Sequence, residues 1–321
     1  MKECIIGIDI GGTKIAAGIT DRKGKLIFRT AIPTFAEKGF KSSIAQVYAA
    51  VENVLGSSGK TKKDIAGIGI CAPGPLDPDK GIVHNPPNLP GWKNVALTRL
   101  IKEKFDIKVK LENDANAAGM AEVLWGAARG YKHVLYVTVS TGIGTAVIID
   151  GKIYHGKNGM AGEGGHATIN FDSSKDICNC GNIGCIEAIA SGPATSGKFL
   201  KTVKASGRKK KMMEYIDPRK GPVTMIEIDK AAKKGNKYAE KAIRQQGEML
   251  GIWLGSMISI LDPEIIVIGG GVSNIGEMIL SVIRKTIPAH TINMAAARTM
   301  VVKAELKNDV GILGAASIMM G

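Results

Sequence analysis

Three thiols and an imidazole offer the most specific chemistry in this chain: His166 is followed by Cys178, Cys180 and Cys185. Three thiolates with one histidine nitrogen form the donor set of a closed, tetrahedral structural zinc site. Cys178 and Cys180 cannot easily bond each other, and the glycines between Cys180 and Cys185 allow the chain to fold round a metal. Reduced structural cysteines without a metal are the alternative. A zinc ion here would be a staple. By fixing His166 it would also position Glu163 and Glu187, whose carboxylates can accept hydrogen bonds from vicinal sugar hydroxyls.

A second kind of chemistry is anion binding. Asp9-Ile-Gly-Gly-Thr-Lys14 directly follows an apolar run. The glycines, Gly11 and Gly12, let backbone N–H groups approach a phosphate closely and take φ > 0 where needed. Asp9 at the strand end is placed to hold Mg²⁺, and Thr13 to donate a hydroxyl. The order Gly12-Thr13-Lys14 is not that of a Walker A loop, which needs Gly-Lys-Ser/Thr opening a helix. Ser140-Thr141-Gly142-Ile143-Gly144-Thr145 repeats the bend in the second half. Gly269-Gly270-Gly271 follows a further apolar run, where a nucleoside could lie against the backbone; a tight strand-to-helix turn explains it equally well. Finally, Glu112-Asn113-Asp114-Ala115-Asn116 puts a carboxylate, Asp114, at a strand-to-helix junction. It can accept the proton of an attacking hydroxyl in phosphoryl transfer, or it can cap the helix that follows. Beside two phosphate bends, the base is favoured.

The elements that must position these residues follow from the apolar patterning. Strands are expected at Ile5–Ile10, Ala16–Thr20 and Lys25–Ala31, a helix at Ser42–Leu55, and a strand at Ile65–Cys71 before a Pro/Gly-rich loop from Ala72 to Trp92. A helix at Leu97–Phe105, a strand at Val109–Glu112 and a helix from near Ala115 complete the first half. The second half restarts the programme with strands at His133–Ser140, Thr145–Ile149 and Lys152–His155. A long helix at Tyr238–Ile260 follows, then a strand at Glu264–Ile268, a helix at Gly276–Thr286, a strand at Met300–Glu305 and a helix at Val310–Met319. The repetition predicts an internal duplication: an α/β chain with two lobes, each a mixed sheet with helices packed on it, facing each other across a cleft. The smaller lobe is placed at 1–115 with a returning helix at 306–321, and the larger, with the zinc site, at 116–305.

Composition excludes several classes. The 321 residues are 45% hydrophobic, too apolar and too regularly broken for intrinsic disorder. The best candidate for a membrane span, Ile252–Leu261, is short and interrupted by Gly255, Ser256 and Ser259. Asp9 breaks the first apolar run, and no export signal or disulfide framework is present, so a reducing cytoplasm is expected. The net charge of +14, dense at Lys60–Lys63 and Arg208–Lys211, comes without interleaved aromatics or a helix-turn-helix. It reads as a solvated surface that attracts anionic substrates rather than nucleic acid. Cys4 and Cys71 lie in strands and read as core.

Taken together, these motifs and the run Cys178-x-Cys-Gly-x-x-Gly-Cys-x-Glu187 resemble the ROK family of sugar kinases and sugar-responsive repressors, over Ile5 to Ala316. The resemblance implies the duplicated actin-like ATPase (ribonuclease H-like) fold and ATP-dependent phosphorylation of a hexose, glucose first. Asp114 becomes the catalytic base; Asn113, Asp114, Glu163, His166 and Glu187 become sugar ligands; His166, Cys178, Cys180 and Cys185 become zinc ligands. Asp9, Gly11, Gly12, Thr13, Lys14, Thr141, Gly142, Gly269, Gly270 and Gly271 become the site for ATP and Mg²⁺. A homodimer or homotetramer is implied, with no nucleic-acid or membrane partner. Family kinases commonly carry a further glycine where Thr145 stands. The segments Ala72–Asp77 and Asn88–Trp92 resemble the glucokinase members, while N-acetylmannosamine, N-acetylglucosamine and fructose kinases share the same catalytic residues. In the repressor branch a DNA-binding domain precedes the first phosphate bend; only Met1 to Ile8 precede Asp9, which favours the kinase.

Overall fold

The structure, a computed structural model, describes residues 3–172, 176–292 and 296–320. Strand β1 (Cys4–Ile10) is apolar on both faces and almost wholly buried, as a central strand must be. It pairs antiparallel with β2 (Lys14–Asp21), and β2 with β3 (Leu26–Pro33). β3 alternates between half-buried and exposed residues, the mark of an edge strand with one wet face. Helix α1 (Phe40–Ser58) lays Ile44, Val47, Val51 and Val54 along one stripe and ends at Gly59, whose φ of 68° is left-handed. Beyond it, β4 (Ile65–Ala72) joins β1 in parallel. The segment read as a loop holds a short hairpin, β5 (Leu76–Asp77) with β6 (Ile82–Val83). Helix α2 (Leu97–Phe105) then leads into β7 (Val109–Asn113), parallel to β4.

Helix α3 (Asp114–Trp125) precedes β8 (Val134–Val139), β9 (Ile143–Ile149) and β10 (Lys152–Ile153). Helices α4 (Ile186–Ala190), α5 (Gly192–Ala205), α6 (Lys209–Met212) and α7 (Met225–Lys233) fill the stretch that the apolar patterning left unread. Their signals are local: Ser191 caps α5 with Pro193 in its first turn, and Thr224 with Glu227 forms a capping box at α7. The 25-residue α8 (Lys237–Leu261), β11 (Ile265–Gly269), α9 (Glu277–Thr286), β12 (Met300–Lys303) and α10 (Val310–Ser317) complete the chain. The two five-stranded sheets run β3-β2-β1-β4-β7 and β10-β9-β8-β11-β12. One permutation used twice is the duplication that the glycine bends announced.

Contacts divide the chain into two compact units. The first is Met1–Tyr136 with Ala146–Gly162 and Glu305–Gly321; the second is Val137–Thr145 with Glu163–Ala304. This differs from a division at 115/116, because α3 packs on α10 inside the first unit. A Cβ on Gly314 would stand 2.8 Å from the Ala117 carbonyl carbon, so the two helix backbones nearly touch. Glu122, fully buried on α3, ties the joint: its carboxylate accepts from Ala127 N at 2.7 Å, Glu305 N at 3.2 Å and Leu306 N at 3.0 Å. Helix α10 also lies directly on the first sheet, where Cβ atoms on Gly7 and Gly69 would collide with the carbonyl oxygens of Ile312 and Ala315. Gly69→Val is therefore expected to cost about 3 kcal/mol, at the top of the usual range for overpacking. Urea unfolding checks this, and an unchanged midpoint would contradict the close packing of α10 on β4.

Candidate active site and metal cluster

In the first unit, strand register brings the acidic candidates to one edge. Asp9 pairs with Cys71, Cys71 with Glu112 and Ala72 with Asn113, all in parallel strands. Asp9 and Asn113-Asp114 thus sit at the carboxyl ends of β1 and β7, the edge where such sheets bind ligands. Burial pushes the Asp9 carboxyl up. The Cys71 thiol donates to Asp9 Oδ1 at 3.5 Å and is itself pushed well up by burial and by the charges of Asp9 and Asp114. Asp9 is the one carboxylate at the end of β1, and it is the oxygen ligand that would hold a Mg²⁺ beside the first bend.

The first bend is braced on both sides. Gly11 N donates to Lys14 O at 3.0 Å, and Thr34 Oγ1 donates to Gly11 O at 2.7 Å. Gly12 faces the Asn88 carbonyl oxygen, which would stand 2.8 Å from a Cβ. That loop is anchored by Trp92, fully buried, whose Nε1 donates to Ser43 Oγ at 2.6 Å. Neither Gly11 nor Gly12 takes φ > 0, so close approach, at Gly12, and not left-handed backbone is what excludes a side chain. Lys14 opens β2 and not a helix, as the rejection of a Walker A loop requires.

Two roles were open to Asp114. The helix cap belongs to Asn113, whose Oδ1 accepts from Ala115 N at 2.9 Å and Asn116 N at 3.4 Å. Asp114 is the exposed first residue of α3, and its Oδ1 shares the Ala115 N–H at 2.8 Å. Behind them stands a pair that the sequence did not reveal. Buried Glu112 accepts from Asn113 N at 2.9 Å and Asn116 Nδ2 at 3.0 Å through Oε1, while Oε2 meets His155 Nε2 at 2.7 Å. No spacing rule links residues so far apart in sequence; only the fold joins them.

The hydrogen bond to Glu112 raises the His155 pKa, with the charges of Glu112 and Asp79 adding to it against partial burial. A histidine raised in the folded state stabilises fully below its ordinary value near 6.5, and the contribution is lost as pH climbs through the elevated value. The melting-temperature gap between the parent and His155→Gln is thus expected to be widest near about pH 6 and to narrow toward about pH 9. A gap that does not change with pH would show that the pair is uncharged.

In the second unit His166, Cys178, Cys180 and Cys185 converge, with ligand atoms all within 4.8 Å of one another. His166 Nδ1 lies 3.5 Å from Cys178 Sγ, and the sulfurs of Cys180 and Cys185 are 3.8 Å apart. The knuckle turns through Gly181 and Gly184, at φ of 91° and 75°. Burial pushes the Cys185 thiol up to about 12 and raises Cys178, whereas the N–H of Asn182 lowers Cys180. Sulfurs this close carry thiolate charge only beside a cation, and the set of donors and their spacing fit zinc. Around the cluster, Glu163 Oε2 lies 3.9 Å from His166 Nε2, and Cys178 donates to Glu187 Oε1 at 3.7 Å. His166 therefore turns Nδ1 to the sulfurs and Nε2 toward Glu163.

Glu187 also reaches the second bend. Its Oε2 accepts from Ile143 N at 2.9 Å and occupies the space that a Cβ on Gly142 would need. Gly142, like Gly12, is small because of what lies against it. Thr145 Oγ1 accepts from Gly164 N at 3.0 Å, so the residue standing in place of a glycine ties β9 to the loop of Glu163. Thr141 is exposed at the tip of the bend. Gly269 ends β11; Gly270 takes φ 76° with Val139 O 2.5 Å from a would-be Cβ, which makes the run a tight strand-to-helix turn. The lysine-rich stretch after Ser206 has a structural anchor: buried Asn236 caps α8 and donates through Nδ2 to Met212 O at 3.1 Å and Glu214 O at 2.8 Å.

Comparison with known proteins places these features. Residues 5–321 match the ROK family. A glucokinase of Thermotoga maritima is 34% identical over 98% of this chain and 96% of its own length. A xylose repressor of Caldicellulosiruptor bescii is 32% identical over 98% of this chain and 78% of its own. Among solved structures, a ROK family glucokinase from Streptomyces griseus in complex with glucose and AMPPNP superposes with a TM-score of 0.83 at 31% identity, covering 98% of both chains. The duplicated sheets are those of the actin-like ATPase fold. Among the described residues, no helix is long and apolar enough to cross a membrane.

Proposed function

Because this chain belongs to the ROK family, we propose that it transfers the γ-phosphoryl group of ATP to a hexose, glucose at its 6-hydroxyl first among the candidates. The observation that carries this reading is Asn113 acting as the cap of α3, which leaves Asp114 beyond the cap, exposed, at the carboxyl edge of the sheet. Asp114 takes the proton from the attacking hydroxyl, and Glu112 with His155 holds the start of α3 beneath it. Asn113, Glu163, His166 and Glu187 bind and orient the sugar. Backbone N–H groups of Gly11 to Lys14, with Thr141 and Gly142, receive the phosphate oxygens, and the Gly269 to Gly271 turn receives the nucleoside. Asp9 would hold Mg²⁺, which would supply neutralisation of the phosphoryl charge. Zinc on His166, Cys178, Cys180 and Cys185 keeps the knuckle folded. The same reading makes the protein cytoplasmic and a homodimer.

The test is an ADP-release assay over glucose, mannose, fructose, N-acetylglucosamine and N-acetylmannosamine. Fastest turnover with glucose supports the assignment, and preference for an N-acetylhexosamine moves the protein to a sibling kinase. A second reading, a sugar-responsive regulator, is kept because xylose repressors are as similar as the glucokinases. Sugar binding by calorimetry with no ADP release from any sugar would select it.

A further inference from the structure

Between α5 and α8 the second unit holds a cavity of about 690 Å³, within the range of roughly 300–1,000 Å³ typical of small-molecule sites. None of the residues assigned above to sugar, ATP or zinc lines it. Its body is apolar, built by Ile189, Phe199, Met212, Met249 and Ile252. Its charged lining is unbalanced in a particular way. The two acids are already engaged, Asp176 by Lys198 at 3.5 Å and Glu248 by Arg244. Arg208 and Lys241 line the same cavity and make no ion pair among the described residues. Gln246 and Thr195 also contribute to its walls, with Gln246 Oε1 and Thr195 Oγ1 turned into the protein behind the lining.

We infer that this cavity is a binding site for a small amphipathic anion: an apolar body against Phe199 and Met249 and a negative head between Arg208 and Lys241. The wall is also wired to the sugar-ligand helix. Lys198 Nζ donates to Ile189 O at 3.4 Å and Gln246 Nε2 to Ala190 O at 2.8 Å. Both carbonyls belong to α4, which carries Glu187. An anion that draws Lys198 or Gln246 toward itself loosens the hold on α4, so occupancy changes sugar affinity as well.

The probe is 8-anilinonaphthalene-1-sulfonate, which combines an aryl body, an N–H and a sulfonate. Titrated into the full-length protein, it is expected to give one saturable fluorescence rise that neither ATP nor inorganic phosphate displaces. The exposed-rim double variant Arg208→Glu/Lys241→Glu is expected to bind about thirtyfold more weakly, about 2 kcal/mol for the two solvent-facing charges together, with its melting temperature unchanged. Ala242→Trp, which fills the cavity, abolishes the signal; if it proves misfolded, the rim variant decides. Displacement by ATP, unsaturable binding, or equal affinity in the rim variant overturns the site. The readout does not depend on turnover, so loss of the kinase reading would leave it standing, and the reverse.

Discussion

Asp114→Asn is expected to keep its melting temperature and its sugar affinity while losing about 10² to 10⁴ in kcat, the usual contribution of a positioned base. The structure makes the substitution a clean one. Asn113, and not Asp114, is the N-cap of α3, and the Glu112 carboxylate secures the N–H of Asn113 and the amide of Asn116. The helix start thus stays intact when Asp114 loses its charge, and the side chain hardly changes in volume. Changing Asn113 to Ala would instead cost about 1 kcal/mol of helix stability through the lost cap. The two variants separate capping from chemistry, by calorimetric sugar binding and steady-state ADP release measured on each. Substantial kcat retained in Asp114→Asn would refute the base.

The second large effect is expected at the knuckle. Cys185→Ala should lose bound zinc, melt about 10 °C lower and raise the sugar KM about tenfold or more. Loss of a structural metal is among the few single changes that cost more than about 4 kcal/mol, and each kcal/mol moves the midpoint of such a domain by about 2–4 °C. Cys185 is fully buried and is the residue directly before α4, so the helix bearing Glu187 begins at the metal ligand itself. Cys180, exposed on the outer side of the cluster, should show the same loss of zinc with a smaller drop in stability. Metal analysis, thermal melting and sugar saturation curves check all three readouts. A zinc-free Cys185→Ala with an unaltered KM would remove the staple.

What could be read in advance was whatever is local. The Asp9 to Lys14 bend, the Glu112 to Asn116 junction, the cysteine knuckle and the strands beside them each lie within a few residues, where apolar period and glycine placement speak directly. The fold class followed from finding the pattern twice. What escaped was set by contacts between distant residues. Glu112 meets His155, Glu187 fills the space beside Gly142, and Asn236 ties down the lysine-rich stretch, none of which leaves a trace in spacing. Of the two reasons for glycine at the bends, φ > 0 does not apply at Gly11, Gly12 or Gly142, and crowding by neighbours adds one that the sequence does not display. A lack of room made by Asn88 and Glu187 is invisible until the chain is folded, whereas φ > 0 is the local explanation that comes first to hand. Helices α4 to α7 went unread because their short apolar stripes are weak, although the caps at Ser191 and Thr224 were there to be seen.

Helix α10 bears on how the protein comes off the ribosome. The first five strands of the chain to form a sheet are translated early, yet the surface of β1 and β4 at Gly7 and Gly69 is shaped for a helix made some 240 residues later. During that interval the second unit, continuous from Glu163 to Ala304 apart from one short strand segment, is already complete. The isoleucines of β1 and β4 are by then covered by α1, but the glycine-lined face at Gly7, Gly18 and Gly69 stays open through most of synthesis, and chaperone occupancy should persist on nascent chains until α10 has emerged.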